Sequence, residues 1–254
     1  MLEITSLTKR FGGLAAVNNV SVQFARGTIN AIIGPNGAGK TTFFNLVSGA
    51  IAPTSGKVVF DGRDVTGLRA DQVARLGMAR TFQSTTLFDT ATVLDNLIVG
   101  HRLRTQSGLL DVIVGSKRLK DEERVCREKA RAALDFVGLS HVENRIAGDI
   151  SQEERKRVAF ALALSTDPTL LLLDEPAGGV NPEETVGLAN LIRKMAASGL
   201  TVCLIEHKID MIMNLADKIL VLNYGEKIAE GTPAEIRANP VVIEAYLGSE
   251  HAAA

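Results

Sequence analysis

GPNGAGKTT, residues 34–42, carries the most specific structural signal in the chain. It matches the pattern G-x-x-x-x-G-K-[ST], with the apolar run TINAIIG (28–34) before it and the helical pattern KTTFFNLVSGA (40–50) after it. Glycines let successive backbone N–H groups curl toward phosphate oxygens, and a helix that starts there adds the positive end of its dipole. The stretch therefore predicts a buried strand, a phosphate-binding loop and a helix, rather than an ordinary glycine-rich turn.

The residues of this loop have distinct expected parts in holding a nucleotide. Lys40 is placed to reach the β- and γ-phosphates, and the Thr41 hydroxyl is a ligand for Mg²⁺. The remaining positions present backbone N–H groups to the phosphate oxygens. The predicted nucleotide-binding positions of the loop are Gly34, Asn36, Gly37, Ala38, Gly39, Lys40, Thr41 and Thr42.

A second stretch, LLLLDEP (170–176), has the pattern of a buried strand that ends in two acids. Asp174 at the strand end is the carboxylate expected to hold Mg²⁺. Side chains alternate along a strand, so Glu175 is expected to point in a different direction and to orient or deprotonate an attacking water. The alternative is that both acids simply end the strand in solvent. The phosphate loop elsewhere in the chain argues against that alternative.

The apolar patterns alternate between strands and helices, which predicts a parallel sheet covered on both faces. From about Val93 to Thr166 the chain shows helical patterns alone, which indicates a helical lobe inserted into the sheet domain. The predicted strands are 2–7, 20–24, 28–34, 57–62, 169–174, 201–206 and 218–223, and the predicted helices include 121–138, 182–197 and 208–216.

Composition excludes several classes of protein. The 254 residues are 46% hydrophobic and 22% charged with a net charge of −1, which is globular and lacks the basic excess of a nucleic-acid-binding protein. The low count of two cysteines argues against a disulfide framework and favours a reducing compartment. The N-terminus lacks the apolar region of a signal peptide, and no apolar run is long enough to span a bilayer. Membrane association is therefore expected to be peripheral, through a partner.

Four further short motifs accompany the loop and the acidic pair. They are TFQ (81–83), AGGVNP (177–182), LIEH (204–207) and KRFGG (9–13). Together, the six motifs resemble those of the nucleotide-binding subunits of ABC transporters, and the resemblance covers nearly the whole chain. It implies an α/β fold of the P-loop NTPase type: a mainly parallel sheet core with an antiparallel β subdomain and an inserted helical subdomain.

The resemblance also implies a domain organisation and a set of cofactors. One ABC ATPase domain spans 1–254, in which 1–92 and 167–254 form the RecA-like core with the antiparallel lobe. Residues 93–166 form the helical signature subdomain. The implied cofactors are ATP and Mg²⁺.

Several residues take roles from the resemblance, each with a plainer alternative. Gln83 falls at the Q-loop glutamine, which contacts Mg²⁺ and water and senses the membrane partner, and His207 falls at the switch histidine, which touches the γ-phosphate. Alone, Gln83 could equally well be a surface amide, and His207 is better explained as a solvated histidine at a strand end. Phe11 falls where an aromatic stacks on adenine, although alone it reads better as a core residue.

The resemblance also implies which residues take part in catalysis, which bind Mg²⁺ and which bind ATP. The catalytic residues are Glu175, His207, Gln83 and Lys40, and the Mg²⁺ ligands are Thr41, Gln83 and Asp174. Phe11 and Val17 join the loop in binding ATP. The D-loop residues are Gly179, Val180 and Asn181.

ISQEERKR (150–157) stands where ABC proteins carry their signature, normally L-S-x-G-[QE]. Read locally, its S-x-x-E spacing is the capping box of a helix start. The resemblance implies that Ser151, Gln152, Glu153 and Glu154 face ATP held by a partner subunit. Glu153 replaces the glycine, and its carboxylate would repel phosphate unless it turns to solvent or pairs with Arg157 one helical turn later. We therefore expect a weakened signature beside an intact phosphate loop.

Longer phrases, among them ARTFQSTTLF (79–88) and DEPAGGVNPEET (174–185), resemble those of the branched-chain amino acid importers. The segment 101–124 is similar to that of the longer of their two ATPase subunits. The implied partners are a second ATPase subunit, two membrane permeases and, indirectly, a periplasmic solute-binding protein, at the cytoplasmic face of the membrane and with no nucleic acid. The alternatives are an export-type ABC ATPase, uptake of another solute, or an ATP-dependent dimerising clamp with slow hydrolysis.

Overall fold

The computed structural model describes residues 1–81, 87–102 and 117–251. The strands are β1 (Leu2–Phe11), β2 (Leu14–Phe24), β3 (Ile29–Ile33), β4 (Ser55–Phe60), β5 (Arg63–Asp64), β6 (Met78–Arg80), β7 (Leu170–Asp174), β8 (Thr201–Ile205), β9 (Lys218–Asn223) and β10 (Glu226–Gly231). The helices are α1 (Lys40–Val47), α2 (Ala70–Arg75), α3 (Val93–Arg102), α4 (Lys117–Phe136), α5 (Gln152–Leu164), α6 (Pro182–Ala197), α7 (Ile209–Leu215), α8 (Pro233–Arg237) and α9 (Pro240–His251).

The chain divides into two compact units. The first comprises residues 1–83 and 169–254, and the second comprises residues 84–168. The predicted subdomain boundaries near 93 and 166 stay a prediction. Across the described residues, no helix combines the length and the apolar character required to cross a bilayer.

A six-stranded sheet forms the centre of the first unit, in the order β10-β9-β3-β8-β7-β6. Five of its strands are parallel, and β10 is an antiparallel edge. The strands β3, β7 and β8 are buried at every position, which explains their nearly continuous aliphatic sequences. A second sheet, β2-β1-β4-β5, is antiparallel throughout. The predicted fold class, a parallel core with an antiparallel β subdomain, is confirmed.

Apolar side chains of both sheets and of α1 share one core. Phe24 and Phe60 from the antiparallel sheet, Phe43 and Phe44 from α1, and Leu172 from β7 belong to the same buried cluster. Burying each large side chain contributes on the order of 2 kcal/mol. This packing holds α1 against the central sheet and so fixes the direction of the loop that precedes α1.

The register of the central sheet brings three strand ends to one edge. Asp174 at the end of β7 pairs with Ile205 at the end of β8, and Ile205 is in register with Ile32 of β3. Because these strands are parallel, the segments that follow them leave the sheet at the same edge. Residues 34–39, 175–181 and 206–208 therefore meet there.

The second unit contains helices α3, α4 and α5 around a small apolar core. Leu97, Ala130, Leu134, Val158 and Ala161 are fully buried at their interfaces. The expected helical character of this part of the chain is confirmed for the described residues. Most of the segment 101–124 lies outside them.

Three strands have no counterpart among the sequence predictions. β5 and β6 have two and three residues, too few to show any periodicity, and β10 reads EKIAEG, which is largely polar. Both β1 and β2 extend several residues beyond the predicted bounds, to Phe11 and back to Leu14. Helix α6 has the predicted bounds, since Asn181 caps it and Pro182 occupies its first position.

Candidate functional site

A pocket of about 340 Å³ opens at the edge of the central sheet where these segments meet. Its wall consists of the phosphate loop, the start of β2 and single residues from three other segments. The lining residues are Leu14, Ala15, Ala16, Asn36, Gly37, Ala38, Gly39, Lys40, Thr41, Thr42, Glu175, His207 and Tyr224. The structure thus brings most of the predicted loop residues together with Glu175 and His207.

Two glycines of the loop are required by close contacts of its backbone. Gly39 precedes α1 with φ +97°, and a Cβ there would lie 2.3 Å from the carbonyl oxygen of Ala16. A Cβ on Gly34 would lie 2.1 Å from the carbonyl oxygen of Leu222. Any side chain at either position would push the loop away from β2 or β9. The compact loop therefore depends on glycine for packing and not only for phosphate contact.

Lys40 is the first residue of α1 and is largely buried. Its Nζ donates hydrogen bonds to the carbonyl oxygens of Gly34 at 2.7 Å and Pro35 at 2.9 Å. Burial lowers the pKa of the Lys40 ammonium below its ordinary value, and the negative charge of Glu175 opposes that shift. The cation is thus held within the curl of the loop and beside the acid across the pocket.

Asp174 ends β7 with a buried carboxylate that Arg80 contacts. Nη2 of Arg80 donates to Oδ2 of Asp174 at 2.8 Å, and both side chains are less than a tenth exposed. Nη1 of Arg80 donates to Oδ1 of Asn45 on α1 at 2.7 Å and to Oγ of Ser48, which caps the end of α1, at 3.0 Å. One guanidinium therefore connects β6, β7 and the helix behind the phosphate loop.

Sequence reasoning missed Arg80. The residue lies within the phrase ARTFQ, three positions before Gln83, and a charged residue at the end of a short buried segment is the signal that could have identified it. Gln83 itself lies outside the described residues.

Glu175 leaves the strand direction because its backbone is left-handed, with φ +49°. This conformation is uncommon for a residue other than glycine, asparagine or aspartate, and costs on the order of 1 kcal/mol. Nε2 of His207 lies 3.1 Å from Oε1 of Glu175, although the two residues are 32 positions apart in the chain. The expected difference in direction between Asp174 and Glu175 is thus produced by a turn rather than by strand alternation.

Phe11 and Val17, which are also predicted to contact ATP, do not line the pocket. Phe11 is half exposed at the end of β1, with Nζ of Lys9 5.2 Å from its ring centroid, and Val17 is fully buried in β2. Instead, the exposed ring of Tyr224 lines the pocket. The predicted contacts of Phe11 and Val17 with ATP stay predictions.

Gly179 has φ +77° in the segment after β7, and Val180 follows it. Asn181 then caps α6, accepting from the backbone N–H of Glu184 at 2.9 Å while Glu184 accepts from the N–H of Asn181. The predicted D-loop is therefore a turn that runs directly into a capped helix.

In the second unit, ISQEERKR begins α5 as a capping box. The Oγ of Ser151 accepts from the N–H of Glu154 at 3.1 Å, and the Glu154 carboxylate accepts from the N–H of Ser151 at 2.7 Å. Glu153 pairs with Nε of Arg157, and Nη1 of Arg157 donates to the carbonyl oxygen of Val137 at 3.0 Å. The local interpretation as a helix start is confirmed. Of the two alternatives for Glu153, turning to solvent or pairing with Arg157, the structure shows the pairing.

Comparison with known proteins agrees with this geometry. The family model described as ABC transporter matches residues 17–178, which include the phosphate loop, Asp174, Glu175 and the capped start of α5. The chain belongs to the ABC transporter family. A second model, described as branched-chain amino acid ATP-binding cassette transporter, matches residues 226–252 of this ABC protein.

Relatives and solved structures of the ABC family match the chain over nearly its full length. It is 41% identical to the high-affinity branched-chain amino acid transport ATP-binding protein BraF of Pseudomonas aeruginosa, with 98% of each chain covered. It is 39% identical to LivG of Escherichia coli strain K12, of the same description and coverage. The ADP conformation of MJ1267, an ATP-binding cassette of an ABC transporter, superposes with a TM-score of 0.86 at 33% identity, covering 98% of both chains.

Proposed function

We propose that this ABC ATPase powers the import of branched-chain amino acids across a cytoplasmic membrane. The proposal that the protein hydrolyses ATP rests on the pocket in which Lys40, Glu175 and His207 lie together. The solute class rests on the descriptions of BraF, LivG and the family model at residues 226–252. Neither the descriptions of these relatives nor the site favours an exporter, and the contact between Glu175 and His207 argues against a clamp without hydrolysis.

The phosphate loop binds the triphosphate of ATP. The ammonium of Lys40 now donates to two neutral carbonyls, and phosphate oxygens offer it stronger, charged acceptors. The backbone N–H groups of Gly37 to Thr42 and the start of α1 surround the remaining oxygens. Because the lowered pKa of Lys40 stems from burial, a phosphate anion beside it restores the preference for the charged form.

The residues near the pocket fit a Mg²⁺ ion bound together with nucleotide. Thr41 offers a hydroxyl and Asp174 a carboxylate, which are the hard oxygen donors that Mg²⁺ takes alongside substrate phosphates. When bound, the ion supplies positive charge to the β- and γ-phosphate oxygens. Arg80 holds the Asp174 carboxylate in place through Oδ2. Gln83 is proposed as a further ligand.

Glu175 acts as the general base in this proposal. Its carboxylate takes a proton from the water that attacks the γ-phosphorus, while the bond to the bridging β–γ oxygen breaks. His207 holds Oε1 of Glu175 through Nε2 and lies on the same pocket wall, where it reaches the γ-phosphate. Lys40 stabilises the charge that develops on the phosphate oxygens.

Two further surfaces would couple this chemistry to transport. Ser151 and the first N–H groups of α5 face the γ-phosphate held by a second ATPase subunit, and the turn at 179–181 contacts that subunit. Closure of the two subunits moves two permeases, which receive solute from a periplasmic binding protein. The chain would therefore work at the cytoplasmic face of the membrane, without nucleic acid.

Calorimetry tests nucleotide binding. Mg·ATP is titrated into the purified chain and into Lys40→Ala, with Lys57→Ala, an exposed lysine outside the pocket, as the matched control. The wild type and the control should release binding heat, and Lys40→Ala should bind at least about tenfold more weakly because a charge-assisted contact is lost. Equal binding by all three proteins would contradict the proposal.

Reconstitution tests the solute. The ATPase is assembled with its permeases in liposomes, and ATP turnover is measured with binding protein loaded with leucine, isoleucine or valine, or with unrelated solutes. Stimulation by the three branched amino acids supports the proposal. Stimulation by other solutes alone would refute the solute class and leave the ATPase assignment standing.

A further inference from the structure

Glu206, the residue before His207, is a buried carboxylate that no step above uses. It is 3% exposed, follows β8 directly and does not line the pocket. A buried carboxylate is stable only when its oxygens receive hydrogen bonds or a counter-ion. Its partners therefore reveal what the residue does.

Three backbone N–H groups donate to this carboxylate. Oε1 accepts from the N–H of Ala177 at 2.6 Å, and Oε2 accepts from the N–H groups of His207 at 2.9 Å and Lys208 at 3.3 Å. Both oxygens act as acceptors, which is the pattern of an ionised carboxylate. The side chain thus joins the turn after β7 to the turn after β8.

These two turns carry the pair at the pocket. Glu175 lies two residues before Ala177, and its own N–H donates to the carbonyl oxygen of Ile205 at 2.9 Å. His207 follows Glu206 directly. The backbones on both sides of the contact between Glu175 and His207 are therefore fixed by the Glu206 carboxylate, which lies behind them.

A second tie connects the same two turns. Nζ of Lys208 donates to the carbonyl oxygen of Val180 at 2.9 Å and to Oγ1 of Thr185 at 2.7 Å. Residues 206 and 208 together hold the whole segment from Ala177 to Val180 against the turn after β8. The strained backbone of Glu175, with φ +49°, needs such support because its conformation is unfavourable in isolation.

We propose that Glu206 is a positioning residue for hydrolysis, which sets the geometry of Glu175 and His207 through backbone hydrogen bonds and touches neither the nucleotide nor the water. This inference rests on the proposed hydrolytic function of the pocket. A displacement of about 1 Å between a base and its substrate costs about a hundredfold in rate, whereas phosphate contacts of the loop are unaffected by it. Glu206 therefore controls kcat and not the affinity for ATP.

The test compares Glu206→Gln with wild type in the assembled transporter. The amide keeps the size of the side chain, but its NH₂ group faces backbone N–H donors on one side and cannot accept from them. We expect kcat to fall about tenfold to hundredfold, with the dissociation constant of Mg·ATP within about twofold of wild type. Glu235→Gln is the matched control, because Glu235 also accepts a backbone N–H, from Thr232 at 2.7 Å, at an exposed helix start outside the pocket.

A double variant separates positioning from general loss of structure. Glu206→Gln should reduce kcat by a smaller factor in a His207→Ala background than in wild type, since one of the two residues that Glu206 positions is then already removed. Wild-type kcat in Glu206→Gln, additive losses in the double variant, or a parallel loss of kcat, ATP affinity and melting temperature would each overturn the inference. If Glu206→Gln does not fold, Glu206→Asp, one methylene too short to span both turns, must show the same loss of kcat at unchanged affinity.

Failure of this inference is distinguishable from failure of the proposed function. A wild-type transporter without ATP turnover contradicts the function. An active wild type with an equally active Glu206→Gln contradicts the inference and nothing else.

Discussion

Replacing Arg157 with Gln should expose a partner's ATP to the full charge of Glu153. In the structure the two side chains form an ion pair at the start of α5, 24% and 15% exposed. Two unit charges about 4 Å apart cost about 4 kcal/mol at an effective dielectric near 20. If the Arg157 guanidinium lies about 4 Å farther from the phosphate than the Glu153 carboxylate does, the attraction between guanidinium and phosphate offsets about 2 kcal/mol of this repulsion. Loss of Arg157 should therefore reduce kcat/KM for ATP about thirtyfold.

The assay is ATP turnover of the assembled transporter at limiting ATP. Arg157→Gln also loses the hydrogen bond to Val137, so the double variant Glu153→Gln with Arg157→Gln is the informative comparison. It lacks that bond as well, but it carries no charge. Because the remaining repulsion of about 2 kcal/mol in wild type is then also removed, its kcat/KM should be no lower than that of wild type and up to about thirtyfold higher. Raising the salt concentration should shrink the defect of the single variant, because screening weakens the repulsion.

A matched ion pair provides the control for this experiment. Arg124 and Glu128 have the same i,i+4 spacing on α4, with both side chains more than 60% exposed. Because exposed pairs contribute less than about 1 kcal/mol, Arg124→Gln should leave turnover unchanged. Equal losses in the single and double variants at position 157 would show that packing, not charge, is responsible. Wild-type turnover in Arg157→Gln would refute the electrostatic reasoning itself.

Three other predictions concern buried groups. Arg80→Met removes the cation that faces Asp174 and should lower the free energy of unfolding, measured by urea denaturation, by about 3 kcal/mol or more. Arg80→Lys keeps a positive charge and should lose less. Equal stability of wild type and both variants would contradict this prediction. Burial raises the pKa of Tyr246 to about 12, although the N–H of Gly34 donates to its hydroxyl and opposes the shift. In the variant Tyr224→Phe, Tyr246 is the sole tyrosine, so the absorbance titration of this variant should have its midpoint near 12 and not near 10. Since the folded-state pKa is the higher one, the associated stability is complete below about pH 10 and is lost as the pH rises toward 12. Burial raises the pKa of the Cys203 thiol. In the variant Cys126→Ser, whose one remaining thiol is Cys203, a thiol reagent should therefore react at the rate at which the protein unfolds. Rapid labelling of the native protein would disprove this prediction.

Much of the fold could be predicted because its signals are local. The loop before α1, the buried strands β3, β7 and β8, and the capped start of α6 each show their pattern within about ten consecutive residues. Strands β6 and β10 could not be predicted, since one is too short for periodicity and the other is polar. Their pairing with β7 and β9 forms them, and that depends on distant residues.

The sequence by itself determined the phosphate loop, the acid at the end of β7 and the helix start at Ser151, since each depends on residue types at close, fixed spacing. It also provided the i,i+4 spacing that allows Glu153 to pair with Arg157. Only the tertiary structure decided which distant side chains meet: Glu175 with His207, Asp174 with Arg80, and Glu206 with the N–H of Ala177. The reason is the strand order, which places β7 between β6 and β8 and so brings together segments that are 29 to 94 residues apart.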